Sequence, residues 1–546
     1  MVQAIRAFPG TAPVRELTRR GGPAAGTMED LWLTLLLASG LTLGNSRLQD
    51  RLGLALSDEG YLWDGVLRTA AGERPVVDFK AYDPGRYHWC ALGSHLLGPG
   101  LVALRRSTAL FQLLGLWAGL LVLRRVVDSA WLLAAIGLLM LWWMQPRWKR
   151  FEHSISIFAV VGAFLLLEDP VAWRSFLAGV FVGMAAIMGR NHGLYSLAAF
   201  GCVHLSLLGR VALPDLGGLA VSWAAGIVAG YSPMLWTWVR DREAFRAYLH
   251  GMVLVVFRRR ATNLGRPVPW PWRVPRGERS TPEGLSWYLS GFHFLFLPLY
   301  HLGVLAWSPW APATPSGRLA VAASMVGVFY LHHAFSRADP SHLCQVMQPF
   351  LIGSVALCTV ALRDAHTAVL VLVLAVLAYF TARLQVPAWR AFVSGVPYTE
   401  YVSRGERLRI PVRDAAHIDA LRSFVDETLD PDETLFVAPV LPGLYPTLGR
   451  HSPALDTYPI FPATEEGQTR ILADLEAAGV RCALLVDCAL DGREELRYRN
   501  THPRVWQFVE REFESVAVPG LPEGHQIYLR HMSGKASVLE PVADSR

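Results

Sequence analysis

Charge is scarce in this chain. Only 18% of its 546 residues are Asp, Glu, Lys or Arg, where a soluble protein carries nearer a quarter. The shortfall excludes an ordinary soluble enzyme, the more so because the apolar residues gather in long blocks and the mean hydropathy is +0.29. Cysteine is sparse too. The six, at 90, 202, 344, 358, 482 and 488, show neither metal-ligand spacing nor a disulfide framework. No compact basic domain is visible, which argues against nucleic acid as a partner. A Gly-rich phosphate loop and a nucleophile elbow are missing from the C-terminal part. No cleavable signal peptide is expected, because the first apolar run starts near residue 31 behind a polar basic segment and further runs follow it.

What is abundant points to a membrane. Tryptophan occurs 19 times, as expected where indoles sit at the headgroup level. The net charge of +6 and the pI near 9.0 suit an anionic partner, either membrane lipid headgroups or a phosphorylated substrate. Apolar stretches lie at about 29–45, 107–127, 129–145, 154–168, 171–189, 191–209, 213–238, 283–306, 318–335, 342–362 and 366–384. Each approaches the ~20 residues that cross the hydrocarbon core as helix. The fold expected is mainly α: a polytopic helical membrane bundle of about 11 transmembrane helices with a small C-terminal α/β extracytoplasmic domain. Residues 1–27 form a cytoplasmic disordered tail, 28–385 the membrane domain and 386–546 the soluble domain. In the last, helix patterns near 413–428, 464–478 and 503–515 alternate with strands at 434–438, 482–487 and 525–530. The piece 247–257 reads as re-entrant or interfacial.

Arg6, Arg15, Arg19 and Arg20 precede the first span and assign the N-terminus to the cytoplasm. Counting from there puts loops 46–106, 146–153, 190–192, 239–282 and 336–341 on the outer face, with the C-terminal domain. Those loops are themselves basic, with Arg147, Lys149, Arg150, Arg190, Arg258, Arg259, Arg260 and Arg337. The positive-inside rule disfavours this, so either the orientation is inverted or the cations serve an anionic ligand outside.

Four strings carry candidate chemistry. The first outer loop places Asp58–Glu59 just after span one, then Tyr61, Gly72, Pro75, Asp78, Asp83–Pro84 and Tyr87. Asp58 reads as a general base or as a helix cap. Arg147, Lys149 and Arg150, followed by Glu152 and His153, stand at a span boundary, to bind a phosphate or to snorkel to headgroups. Arg190-Asn191-His192 forms a polar turn between two spans. Arg337, Asp339 and His342 form another, either a ligand set or an ion pair that closes the turn. The Pro- and Trp-rich segment 258–282 reads as an interfacial loop.

An acidic pair after span one, then Gly, Pro, Asp-Pro and Tyr, resembles the first loop of the GT-C superfamily of lipid-phosphate-sugar glycosyltransferases. That group includes protein mannosyltransferases, lipid A aminoarabinose transferases and RgtA/B/C/D-like bacterial enzymes; the plain, compact loops place the likeness nearest the bacterial branch. The resemblance implies transfer of a sugar from a polyprenyl-phosphate-linked donor to a glycan, lipid or protein hydroxyl on the outer face of the bacterial inner membrane, with inversion. Asp58 would be the base and Glu59 its companion. Arg147, Lys149, Arg150, Arg190, His192, Arg337, Asp339 and His342 would hold the lipid phosphate or sugar. No cofactor is certain; some relatives use a divalent metal at the acidic pair, here Asp58 and Glu59, and others do not. A lipid-linked substrate transporter or flippase is the competing reading, but its charges should fall within spans, whereas these gather at span ends.

Overall fold

The computed structural model describes residues 27–253, 263–361 and 364–531. Arg6, Arg15, Arg19, Arg20, Arg258, Arg259 and Arg260 lie outside the described residues. Each of the eleven apolar stretches is helical. They are α1 (Met28–Gln49), α4 (Leu101–Leu123), α5 (Ala130–Trp143), α6 (Arg150–Glu168), α7 (Ala172–Met188), α8 (Arg190–Ser206), α9 (Leu213–Arg240), α11 (Pro282–Trp307), α12 (Pro315–Ser336), α14 (Met347–Ala361) and α15 (Asp364–Ala382). The intervening helices α2 (Asp58–Ala70), α3 (Pro84–Leu97), α10 (Arg242–Tyr248) and α13 (Pro340–Cys344) are short. Among the described residues six helices are long and apolar enough to cross a membrane, and those starting at Ala130, Ala172 and Met347 are shorter apolar ones. Helix is the form such segments take because it satisfies every backbone polar group internally. The chain is an integral membrane protein.

One apolar core runs through the bundle, with α12 at its centre; Ala320, Ala322, Ala323 and Val326 on that helix have no exposed surface. Helix α9 sits at the rim against α7. Gly179 and Gly183 face Gly226 and Gly230 across that seam, and a Cβ on Gly183 would lie 2.5 Å from the Ile227 carbonyl oxygen. Small residues let two spans touch backbone to backbone.

Among the described residues the C-terminal part contains two sheets. β1 (Tyr398–Ser403) and β2 (Glu406–Pro411) form an antiparallel hairpin turned by Arg404–Gly405, whose φ angles are 46° and 77°. Left-handed angles at both turn residues match the right-handed strand twist. The second sheet has the order β3-β4-β6-β5, with β3 (Leu435–Ala438) parallel to β4 (Cys482–Val486) and β6 (His525–Arg530) antiparallel to both β4 and β5 (Phe513–Val516). The helix expected over 503–515 stops at Glu512 instead. Its tail becomes β5, because pairing Phe513–Val516 to the open edge of β6 satisfies more backbone than one more helical turn.

This part is docked on the bundle. The buried residues Trp63, Val66, Tyr87, Leu104, Phe151, Leu408, Ile410 and Ile418 make one core from α2, α3, α4, α6 and the C-terminal chain. The Glu406 carboxylate accepts from the Val102 and Ala103 amides at 2.6 and 3.1 Å, capping α4 from 300 residues away. The Gly443 amide donates to the Leu56 carbonyl at 2.8 Å. Beside it Gly60 approaches so closely that a Cβ there would lie 2.5 Å from the Gly443 Cα.

Candidate functional site

The ends of α1, α5, α7 and α12 and the starts of α6, α8 and α14 meet at one end of the bundle, under the C-terminal part. The contacts show this directly. Arg147 donates to the Gln49 carbonyl and Arg86 to that of Met188, while Arg337 pairs with Asp491 of the C-terminal part. The acidic pair and the turns of Arg147–Arg150, Arg190–His192 and Arg337–His342 are therefore neighbours in space.

Asp58 and Glu59 are adjacent in sequence but face different surroundings. Glu59 is 1% exposed, and its two oxygens accept from Arg105 Nε and Nη2 at 2.8 and 2.6 Å. Arg147 stands 3.7 Å away. Burial pushes the Glu59 carboxyl up, but Arg105 and Arg147 outweigh it and hold the pKa at about 2. Arg105 also donates to the carbonyls of Asp50 and Gly53, and the fully buried Arg150 donates to the Arg105 carbonyl at 2.9 Å. Glu59, Arg147 and Arg150 thus belong to one buried network that fastens α2 to α1, α4 and α6. With both oxygens on Arg105, Glu59 does not fit a cation shared with Asp58. Among the described residues no three His, Cys, Asp or Glu side chains converge to hold a metal.

Asp58 opens α2 and is only half-buried. Ser57, not Asp58, is the cap residue, and its side chain makes no capping hydrogen bond. The Tyr458 hydroxyl donates to Asp58 Oδ1 at 3.5 Å. Burial and the Asp58 charge keep that phenol well above its usual pKa, so it stays a donor. Tyr61 packs between Tyr82 and Tyr458 at 5.1 and 5.3 Å between ring centres.

From Asp58 a loose ring of polar groups, not linked by hydrogen bonds at every step, runs outward and back. Lys149 lies 4.8 Å over the Tyr82 ring, loosely paired to Glu152 at 3.7 Å. Glu152 holds Arg86 at 3.0 Å. His192, with Nδ1 buried and unpartnered, stands 5.7 Å from His333, which stands 5.8 Å from His342. His342 Nδ1 is 2.9 Å from Asp339 Oδ1, and Arg337 Nε donates to Asp339 Oδ2 at 2.9 Å. Burial raises the Asp339 carboxyl, yet His342 and Arg337 together bring it to about 2. Arg337 also reaches Asp491 at 2.8 Å, which Arg266 shares at 2.7 Å. The ring closes because Tyr458 lies within electrostatic reach of both Arg337 and Asp58. Arg190 opens α8, and its amide donates to the buried Asp83.

The expected residues therefore divide. Asp58, Lys149, His192, Arg337, Asp339 and His342 line the ring, Arg190 adjoins it, and Glu59, Arg147 and Arg150 form the network behind. Sequence reasoning passed over Arg86, Tyr82, Tyr458, Asp491, His333 and Arg105. Arg86 carried a weak signal, as a cation two residues past Asp83–Pro84. Tyr458 and Asp491 carried none.

No protein-family model matches the chain, and no curated protein does. Solved structures do. The ArnT of Cupriavidus metallidurans bound to undecaprenyl phosphate aligns with TM-score 0.52 at 16% identity, over 91% of this chain and 98% of that one. Its apo state aligns at 0.53 and 15%, over 90% and 97%. The apo oligosaccharyltransferase of Archaeoglobus fulgidus reaches 0.44 at 11%, over 89% and 72%, and adds nothing to the argument. The two ArnT structures share this chain's fold along nine-tenths of its length.

Proposed function

We propose that this GT-C-fold membrane protein is a glycosyltransferase that moves a sugar from a polyprenyl-phosphate donor to a hydroxyl acceptor on the outer face of the membrane. The observation that carries the reading is the polar ring. One half-buried carboxylate, Asp58, lies at the same end of the bundle as Lys149, Arg337 and His342, which come from distant turns. The undecaprenyl phosphate bound by the ArnT of like fold supports it.

In this reaction Asp58 takes the acceptor hydroxyl proton as the oxygen attacks the anomeric carbon from the face opposite the phosphate. The carbon–oxygen bond to phosphate breaks, its electron pair leaves with the phosphate, and the anomeric centre inverts. Lys149 and Arg337 stabilise the charge gathering on the leaving phosphate, most effectively where water is scarce. His192 and His342 donate to phosphate or sugar oxygens, Asp339 orients His342, and Arg190 flanks the entry. Tyr458 fixes the Asp58 rotamer. Glu59, Arg147 and Arg150 act through α2 as positioning residues.

The test is Asp58→Asn in vesicles supplied with a lipid-linked sugar donor. Loss of transfer by about 10²–10⁴-fold, with an unchanged unfolding temperature, is expected. Transfer at the wild-type rate overturns the assignment.

A further inference from the structure

A groove lies between α1 and α4, sharing no residue with the polar ring. It encloses about 720 Å³ and is walled by Ser39, Thr42, Leu43, Val102, Ala109, Leu110 and Leu113. Its mouth carries Arg47, Arg51 and Arg106, and a smaller cavity of about 290 Å³ continues from Arg51 and Arg106 to Arg407 on the C-terminal hairpin. We infer that this groove binds an anionic phospholipid of the surrounding bilayer, acyl chain along the wall and phosphate on the three arginines.

Two observations carry the inference. The first is charge. Arg47, Arg51 and Arg106 are exposed, and among the described residues none has a carboxylate within 4 Å. The two acids at the mouth are engaged elsewhere: Glu406 caps α4, and Asp50 turns inward toward Arg150 at 3.9 Å. The neighbouring cations Arg105 and Arg106 point opposite ways, one into the Glu59 network and one into the groove. The second is dimension. From Ser39 to the end of α1 at Gln49 is roughly 15 Å of helix, the depth of one leaflet of hydrocarbon, about 15 Å. The arginines stand where a headgroup would and the leucines where its chain would.

The occupant would lie directly behind the Arg105–Glu59 pair that fastens α2, so a bound lipid also braces the helix that presents Asp58. The inference itself needs only the membrane placement of α1 and α4, not the proposed reaction.

The experiment uses the full-length protein in phosphatidylcholine vesicles, with a photo-crosslinking amino acid at Leu110, an exposed groove position. Traces of fluorescent phosphatidylglycerol or phosphatidylcholine are added and crosslinked. Phosphatidylglycerol should label at least tenfold more strongly, since each surface arginine contributes about fivefold toward an anionic lipid. Arg47→Gln, Arg51→Gln and Arg106→Gln together should reduce it to the phosphatidylcholine level. All three are surface positions, and an unchanged unfolding temperature confirms the fold. The same crosslinker at Leu177, exposed on α7, should show no preference. Equal labelling by both lipids at Leu110 would overturn the inference. So would displacement of phosphatidylglycerol by an equimolar polyprenyl phosphate, which would assign the groove to a donor.

Discussion

Replacing Glu59 by Gln separates a carboxylate that holds the structure from one that does chemistry. Glu59 ionises at about 2 in the folded protein, against an ordinary 4.5. That difference is worth roughly 3 kcal/mol in favour of the folded, ionised form. A second route gives a similar figure, since removing one partner of a buried ion pair costs about 3–5 kcal/mol. Glu59→Gln should therefore lower stability by about 3–4 kcal/mol at neutral pH. Because the folded pKa is depressed, the contribution is complete above pH 4.5 and is lost as pH falls through 2. At pH 3 the gap between variant and wild type should shrink to under about half. The assay is denaturant unfolding of the purified protein in mixed micelles at pH 7 and pH 3, with sugar transfer measured per folded molecule. Adding Arg105→Met should recover only part of the loss, since Arg105 also holds the Asp50 and Gly53 carbonyls. A Glu59→Gln protein as stable as wild type but unable to transfer sugar would refute the reasoning and make Glu59 a catalytic residue.

Three further outcomes are expected. Burial lifts the Asp64 carboxyl to about 7, and its Oδ2 has no hydrogen-bond partner, so ionising it weakens the fold. Its folded pKa is raised, so stability falls as pH climbs from about 4 to 7, and Asp64→Asn should stabilise by up to about 4 kcal/mol at pH 8, with little effect below pH 4 in thermal unfolding. Asp491 neutralises the Arg337 guanidinium that the donor phosphate needs; Asp491→Asn should lower the donor KM by about fivefold with kcat nearly unchanged, whereas a raised KM would mean that Asp491 only orders the site. In a background without native cysteines, Ala71→Cys, exposed past α2, should react with an impermeant maleimide added to intact cells; reaction only after lysis would invert the topology.

The spans were legible because about twenty consecutive apolar residues admit few alternatives. The β1–β2 hairpin was not, since Tyr398–Pro411 is short, charged and flanked by an interfacial helix pattern. Its strand character comes from burying Leu408 and Ile410 against α2 and α4, contacts made across 300 residues. The span expected from 107 begins at Leu101 for a related reason. Arg105 looks like an interface cation in sequence, and only its partner Glu59 makes it a buried one. The site followed the same pattern. Its basic turns could be read as strings, and their meeting at one end follows from an alternating helix count. Which of two adjacent carboxylates faces the ring depends on the direction in which Arg105 and Tyr458 approach, and no local pattern encodes that.

The contact of Gly60 with Gly443 sets a manufacturing tolerance. Two parts built from stretches of chain nearly 400 residues apart must seat so that Tyr458 meets Asp58 at 3.5 Å. A joint cushioned by flexible side chains would wander by more than that fit allows. Bare backbone on bare backbone works as a hard stop, like a datum face in a machine, and every distance across the seam is gauged from it. A single methyl group at either glycine would act as a shim, tilting the upper part and throwing the carboxylate out of alignment without touching any polar residue of the ring.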